Sequence, residues 1–205
     1  MDDVTNLPRL VVATANPHKV AEIEVVLDGL VELEPRPDHV GEVVENGDTM
    51  EANARLKAVA ICEATGRPAV ADDSGLEVDA LGGAPGVRSS NFAFDEGLGA
   101  ADDDDEANVD RLLRELDGLV EGRRTARLRT VALVRWPDGS EVIATGTIEG
   151  RIGTSPIGDG GFGYDPVFVP VEGDGRTFAE MGDEKHAISH RGRAFRDLAR
   201  RLARS

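Results

Sequence analysis

The sequence predicts an α/β fold built on a mixed β-sheet, and three observations indicate it. Helical and strand-like segments alternate through the first half of the chain, an antiparallel hairpin follows in the second half, and no internal repeat or linker divides the chain. At 205 residues we expect one domain, 1–205, large enough to form two lobes around a cleft.

The N-terminal elements are a strand and an amphipathic helix. The strand is RLVVAT, 9–14, and the helix HKVAEIEVVLDGL places Val20, Ile23, Leu27 and Leu30 on one face. The junction TANP is a strand-to-helix turn, whose backbone N–H groups can hold an anion. The alternative is an ordinary turn in which Asn16 caps the helix.

The next segments predict a helix, a buried strand and a glycine-rich loop. The helix DTMEANARLKAVAICEATG has a capping residue in Asp48 or Thr49 and ends at Gly66. The strand RPAVADD ends on two aspartates, and we expect residues 75–91 to form a loop. A third helix is predicted over 106–117.

The second half of the chain begins with the hairpin. ARLRTVALVRW and EVIATGTIEG alternate apolar and polar residues around the turn PDGS. A glycine-rich loop and a short strand, VFVP, come next. The chain closes with a helix capped by Ser189, with Ala194, Phe195, Leu198 and Leu202 facing inward.

Composition and charge exclude several classes of function. Lys and Arg number 23 against 39 Asp and Glu, a net charge of −16, which repels nucleic acid and anionic lipid. No apolar stretch approaches the roughly 18 residues of a membrane helix, and MDDVTNLPRL lacks the order of a secretory signal. We therefore expect a cytoplasmic protein that binds neither nucleic acid nor membrane.

Lysine is scarce in this chain. Of the 23 basic residues, 20 are arginine, and the three lysines are Lys19, Lys57 and Lys185. A compact ammonium is kept in such a composition where the planar guanidinium of arginine does not fit.

Carboxylates and glycines suggest two kinds of site, and one of them is excluded. Gly158, Gly160 and Gly163 satisfy G-x-G-x-x-G, but the prolines of the following YDPVFVP prevent the helix that a dinucleotide site requires. The carboxylates of residues 45, 72 and 73 are hard oxygen ligands of the kind Mg²⁺ takes, or else caps and solvated charges.

Two further groups each allow a functional and a structural interpretation. Tyr164, the only tyrosine, can stack on a base or fill the core. His190 and Arg191 stand at a helix N-terminus, where the helix dipole disfavours positive charge, so their placement suggests an anionic or carbonyl-bearing ligand nearby.

Taken in order, five motifs resemble those of the inosine triphosphate pyrophosphatase family, the non-canonical purine nucleoside triphosphate pyrophosphatases. The motifs are TANPHK, ADDSGLEVDALGGAPG, GDGGFGYDPVF, FAEM and EKHAISHRGRA, and they run from about residue 9 to the C-terminal helix. The resemblance implies hydrolysis of ITP, dITP and XTP to the monophosphate and pyrophosphate, with Mg²⁺, in a homodimer. It also implies a long mixed sheet flanked by helices, with a nucleotide cleft between two lobes.

The resemblance also implies roles for individual residues. Glu45 and Asp73 are expected to bind the metal, and Asp73 to accept the proton. The substrate contacts it implies are Thr14, Ala15, Asn16, Pro17, His18, Lys19, Lys57, Ser74, Phe162, Gly163, Tyr164, Asp165, Lys185, His190 and Arg191. One departure is that MEANA places Glu51 one position earlier than in bacterial relatives, with Ala52 in its place.

The mechanism we expect is attack of water at the α-phosphorus. Asp73, with Asp72 beside it, deprotonates the water, while Lys19 and Lys57 offset charge on the leaving pyrophosphate. Which of the two aspartates is the base stays open at this point. Arg191 or Lys185 would select the base through its 6-keto oxygen. The alternatives are a nucleotide sensor without catalysis and a hydrolase of dUTP or methylated pyrimidine nucleotides.

Overall fold

The computed structural model describes residues 7–94 and 104–204. The strands in this part of the chain are β1 Arg9–Val12, β2 Glu32–Glu34, β3 Ala69–Val78, β4 Thr125–Arg135, β5 Glu141–Ile152 and β6 Phe168–Pro170. They form one sheet in the order β2-β1-β3-β4-β5-β6. Since β1 pairs in parallel with β2 and β3 whereas β5 and β6 are antiparallel, the sheet is mixed, as predicted.

Helices connect most of these strands. They are α1 Pro17–Leu27, α2 Met50–Thr65, α3 Asp105–Glu115, α4 Phe178–Met181, α5 Lys185–Ile188 and α6 His190–Leu202. Thr49 caps α2, its hydroxyl accepting the Ala52 N–H, and Gly66 ends the helix in the left-handed conformation. Both ends of α2 therefore lie where the sequence places them. No helix among the described residues is long and apolar enough to span a membrane.

The chain divides into two compact units of discontinuous sequence. Unit 1 comprises the described part of Met1–Asp73 with Val131–Gly146 and Arg191–Ser205, and unit 2 comprises the described part of Ser74–Thr130 with Thr147–His190. The boundaries fall inside β3, β4 and β5 and after the first residue of α6. The expectation of one domain over 1–205 stays a prediction.

Each unit has its own hydrophobic core. In unit 1, the inner faces of α1 and α6 pack with strand residues in a cluster that includes Leu10, Val12, Ile23, Leu27, Val70, Val134, Phe195 and Leu198. In unit 2, α3 packs with strand and loop residues in a cluster that includes Leu76, Val78, Val109, Leu112, Leu116, Ile148, Phe168 and Phe178. Burial of these side chains is the main stabilising contribution in each unit.

Two predicted boundaries are wrong by three residues or more, for reasons that the structure supplies, whereas β1 and α3 each end two residues before the predicted end. α1 ends at Leu27 because Asp28 leaves the helical conformation, with ψ of 128°, and Gly29, with φ of 68°, completes a turn; Leu30 is consequently outside the helix and 48% exposed. β3 continues to Val78 through residues predicted as loop, because Leu76 and Val78 are fully buried in the core of unit 2. Tertiary burial there outweighs the low strand propensity of Gly75.

Candidate active site

The TANPHK turn lies between β1 and α1 in unit 1. The Asn16 side chain accepts hydrogen bonds from the N–H groups of His18 at 2.9 Å and Lys19 at 3.2 Å, and the Thr14 hydroxyl accepts the Asn16 N–H at 3.1 Å. Asn16 is thus the cap of α1 with Pro17 at the first helical position. The cap therefore occupies these two amides.

An open cavity of about 400 Å³ adjoins the same turn, and Thr14, Ala15 and Pro17 contribute to its lining. Arg36 also lines the cavity and donates to the carbonyl of Ala13 at 3.2 Å. The start of α1 therefore lies next to space that a ligand can enter.

Two carboxylates converge on one lysine of α2. Lys57 Nζ lies 2.7 Å from Glu45 Oε2 and 3.5 Å from Asp73 Oδ1. Lys57 is buried, whereas the side chain of Glu45 is 41% exposed. The arrangement joins three of the residues that the sequence analysis singled out.

Asp72 and Asp73 occupy opposite faces of β3, as successive residues of a strand must. Asp72, fully buried, accepts from Arg191 Nε at 3.1 Å, and Arg191 also pairs with the buried Glu22 of α1. Asp73 instead faces α2, where it accepts from the side chain of Asn53 at 3.3 Å. The two adjacent carboxylates therefore have different partners.

These surroundings shift the pKa values of the two aspartates in opposite directions. Burial alone would raise the pKa of Asp72, but Lys19, Arg191 and Lys57 outweigh it and hold the pKa well below its usual range. For Asp73 burial dominates, and with Glu45 and Asp72 it raises the pKa against the effect of the two lysines. Asp72 is thus a permanent anion, and Asp73 is the more basic carboxylate.

The two lysines of unit 1 also differ. Burial and the neighbouring cations lower the pKa of Lys19, although Asp72 and Asp73 oppose this. The pKa of Lys57 is raised, because Asp73, Asp72 and Glu45 together outweigh the effect of its burial. Lys57 is accordingly a firmly charged cation between carboxylates.

The principal buried ion pair of unit 2 joins Lys185 to Asp165. Lys185 Nζ donates to Asp165 Oδ2 at 2.6 Å, with both residues buried. The ammonium also lies 5.2 Å from the centroid of the Phe162 ring and 5.6 Å from that of Phe178, distances typical of cation–π contacts. His190, at the start of α6, stacks on Phe178 with ring centroids 6.4 Å apart.

The loop that carries Phe162–Asp165 is fixed by carboxylates. Asp165 Oδ2 accepts the N–H of Phe162 at 3.0 Å, and Asp105 of α3 accepts the N–H of Gly163 at 2.6 Å. Gly163 has a φ of 61°, a conformation that favours glycine. The loop therefore presents Phe162 from a defined backbone position.

Tyr164 belongs to the core of unit 2. Its ring is part of the buried cluster, and its hydroxyl donates to the carbonyl of Ser89 at 2.8 Å. Burial raises the pKa of Tyr164. Of the two interpretations of this residue, the structure favours core filling for its side chain.

Ser74 is the first residue of unit 2 and follows Asp73 directly in β3. Its hydroxyl lies 2.6 Å from that of Thr130, a fully buried residue of β4. The hydroxyl of Ser74 is therefore oriented by a neighbour that the sequence analysis did not single out.

The structure thus collects the candidate residues into two groups. Lys19, Glu45, Lys57, Asp73 and Arg191 belong to unit 1, and Phe162, Asp165, Lys185 and His190 to unit 2. The polar residues that the sequence analysis missed are Glu22, Asn53, Asp105 and Thr130. Glu22 and Asn53 were detectable in principle, since each is a polar residue adjacent to apolar residues on the inward face of a helix.

Comparison with known proteins gives a consistent result across the chain. The model of the Ham1 family matches residues 10–201. A dITP/XTP pyrophosphatase of Streptomyces coelicolor is 45% identical over 199 residues, covering 94% of this chain and 96% of the relative. A protein of the same name from Nitratidesulfovibrio vulgaris is 48% identical over 193 residues, covering 92% and 93%.

Solved structures agree with the sequence comparison. A HAM1 protein from Coxiella burnetii superposes with a TM-score of 0.84 at 36% identity, covering 97% of this chain and all of that one. The mixed sheet, the two groups of candidate residues and these matches lead to one conclusion: the chain belongs to the Ham1 family.

Proposed function

We propose that this protein hydrolyses the non-canonical purine nucleotides ITP, dITP and XTP to the nucleoside monophosphate and pyrophosphate. The observation that carries the proposal is the pair Asp72 and Asp73, adjacent in β3: Asp72 is bound by Arg191, whereas Asp73 shares the ammonium of Lys57 with Glu45. It stands in a chain close to half identical to proteins named dITP/XTP pyrophosphatase.

A divalent metal fits the donor set of unit 1. Glu45 and Asp73 are hard oxygen donors held by the same ammonium, and Mg²⁺ is commonly bound by one or two carboxylates together with substrate phosphates and water. Among the described residues no group of three or more His, Cys, Asp or Glu side chains could hold a metal. When bound, Mg²⁺ would supply charge neutralisation at the phosphate oxygens.

Asp73 is the residue that accepts the proton of the attacking water. In the metal-free protein burial raises its pKa, which makes it a better base than Asp72, and Asn53 and Lys57 fix its orientation. Asp72 is not the base, because its lowered pKa makes it a weak proton acceptor and its carboxylate is engaged by Arg191. Asp73 is therefore our proposed base in place of Asp72.

Lys19 and Lys57 stabilise the charge that develops on the leaving pyrophosphate. Fixed ammonium groups in a partly buried site are effective because the low dielectric strengthens their interaction with the developing charge. The bond broken is the one between the α- and β-phosphates, and the α-phosphoryl group takes the oxygen of water.

Lys185 is the donor that selects the base. Its ammonium is held by Asp165 and lies 5.2 Å from the ring centroid of Phe162 and 5.6 Å from that of Phe178, a setting suited to a flat heterocycle with a keto oxygen. Adenine carries an amino group at that position and would leave the donor unsatisfied, which gives strong discrimination. Arg191 is a weaker candidate for this role because its guanidinium pairs with two carboxylates, Asp72 and Glu22, whereas the ammonium of Lys185 lies close to two aromatic rings.

The test incubates the protein with Mg²⁺ and ITP, dITP, XTP, dUTP or ATP and measures pyrophosphate and orthophosphate separately. We expect pyrophosphate from the first three and much slower release from ATP. Orthophosphate would mean that another bond is cut, and pyrophosphate from dUTP alone would indicate a pyrimidine hydrolase. No release from any nucleotide, with ITP still bound, would indicate a sensor.

We also propose, on the resemblance, that residues 1–205 act as one domain and assemble as a homodimer. Sedimentation velocity of the whole chain measures the assembly, and a monomer at micromolar concentration would contradict it.

A further inference from the structure

The side chain of Asn53 links two segments of unit 1. It is buried on α2, where its Oδ1 accepts the N–H of Gly47 at 2.8 Å and its Nδ2 donates to Asp73 Oδ2 at 3.3 Å. Gly47 stands two residues after Glu45. One amide therefore joins the loop of Glu45 to the carboxylate of Asp73.

The orientation of this amide is fixed by its partners. The Gly47 N–H can only donate and an ionised carboxylate can only accept, so Oδ1 must face the glycine and Nδ2 the aspartate. With Asp73 Oδ2 held by Asn53, Oδ1 of the same carboxylate faces Lys57 at 3.5 Å. The amide thus sets which oxygen of Asp73 is presented on the side of Lys57 and Glu45.

The close packing at Gly47 supports this link independently of the hydrogen bonds. A Cβ atom at residue 47 would lie 2.7 Å from Asn53 Oδ1 and 2.7 Å from the Cβ of Ala52, closer than real Cβ atoms approach. The loop can lie against the first turn of α2 only because residue 47 has no side chain. Glycine here is required by proximity, since its φ is outside the left-handed region.

We propose that Asn53 is a positioning residue that fixes the carboxylates of Glu45 and Asp73 relative to one another, so that both can bind one divalent cation. The inference rests on the proposed function, because it takes these two carboxylates as the metal ligands. Residues that orient metal ligands through hydrogen bonds typically change metal affinity by about 10- to 100-fold when they are removed.

Asn108 of unit 2 provides a matched control. It is also the fourth residue of its helix, equally buried, and its amide also bridges two loop groups, accepting the N–H of Ala93 at 2.7 Å and donating to the carbonyl of Ser90 at 2.7 Å. Both partners of Asn108 are backbone groups, whereas one partner of Asn53 is the carboxylate of Asp73. The two alanine variants therefore lose similar hydrogen bonds in different surroundings.

The experiment titrates Mn²⁺ into the whole protein without nucleotide and follows free Mn²⁺ by electron paramagnetic resonance. We expect Asn53→Ala to weaken Mn²⁺ binding by about 10- to 100-fold and Asn108→Ala to leave it within about twofold. Hydrogen exchange of the Gly47 amide is measured in parallel, and it should accelerate in Asn53→Ala alone.

Gly47→Ala is the second variant, for the case in which Asn53→Ala fails to fold. It keeps the Asn53 side chain but separates the loop from α2, so it should also weaken Mn²⁺ binding. Mn²⁺ affinity equal to that of the wild type in either folded variant would overturn the inference about Asn53. If the wild type still hydrolyses ITP in that case, the proposed function stands. Absence of pyrophosphate release from the wild type would instead overturn the proposed function, while exchange at Gly47 still reports the link.

Discussion

Units 1 and 2 both bury charge, but they do so in different ways. Unit 1 places Asp72 and Asp73 among three cations, with Lys57 between two carboxylates and Arg191 between two others. Unit 2 buries the ion pair of Lys185 and Asp165 and lines it with the aromatic rings of Phe162 and Phe178.

The difference indicates what kind of group each unit can bind. Alternating cations and carboxylates suit a polyphosphate and its metal, whose charges need several fixed partners. The ammonium of Lys185, close to the aromatic rings of Phe162 and Phe178, suits a flat, uncharged heterocycle that needs one hydrogen-bond donor and a stacking surface. The following variants test this contrast, beginning with the largest expected effect.

Asp73→Asn should lower turnover of ITP by about 10²- to 10⁴-fold, the usual contribution of a general base. Without metal the variant should be no less stable than the wild type, because burial raises the pKa of Asp73 and its charge is therefore unfavourable in the folded state. Steady-state kinetics and urea unfolding measure the two effects.

Asp72→Asn is the comparison within the same strand. Because the pKa of Asp72 is lowered in the folded state, its charge stabilises the wild-type fold at pH values above the ordinary aspartate pKa of about 4. This stabilisation is lost as the pH falls through the lowered pKa of the folded state. Asp72→Asn should therefore unfold more easily at neutral pH, whereas Asp73→Asn should not. Near-normal turnover in folded Asp73→Asn would exclude Asp73 as the base.

Lys185→Met should destabilise unit 2 by about 3–5 kcal/mol, because it removes the cation that faces the buried carboxylate of Asp165. The double variant with Asp165→Asn should recover much of that stability without recovering discrimination between ITP and ATP. Arg55→Met, which removes a partly exposed pair with Glu141, should cost less than about 1 kcal/mol. Equal losses of stability in Lys185→Met and Arg55→Met would contradict the expected difference between a buried ion pair and a partly exposed one.

Tyr164→Phe should cost about 1 kcal/mol, through loss of the hydrogen bond to Ser89, and leave turnover nearly unchanged. Because the pKa of Tyr164 is raised in the folded state, the contribution of Tyr164 to stability is complete at pH values below its unfolded pKa of about 10. This contribution is lost as the pH rises above that value. Urea unfolding between pH 7 and 11 should therefore show a weaker alkaline loss in the variant. A large drop in turnover with unchanged stability would instead mean that the tyrosine contacts the substrate.

Most elements of the fold were predictable from local signals. The hairpin of β4 and β5, the capped helix α2 and the C-terminal helix α6 follow from alternation, capping residues and helical periodicity. β2 was not predicted, because Glu32–Glu34 has no strand signal and is a strand only through its pairing with β1. The extension of β3 past Asp73 was missed for the same reason, since burial of Leu76 and Val78 depends on distant parts of the chain.

The sequence by itself determined the class of fold, the family and which residue types could carry the chemistry, because strand alternation, helix capping and motif order are local properties of the chain. The tertiary structure alone decided how Asp72 and Asp73 divide their roles. Neighbouring strand residues face opposite sides, so Asp72 meets the charges of Lys19 and Arg191, whereas burial dominates the pKa of Asp73. The bridging role of Asn53 is decided in the same way, since one of its two partners is brought to α2 only by folding.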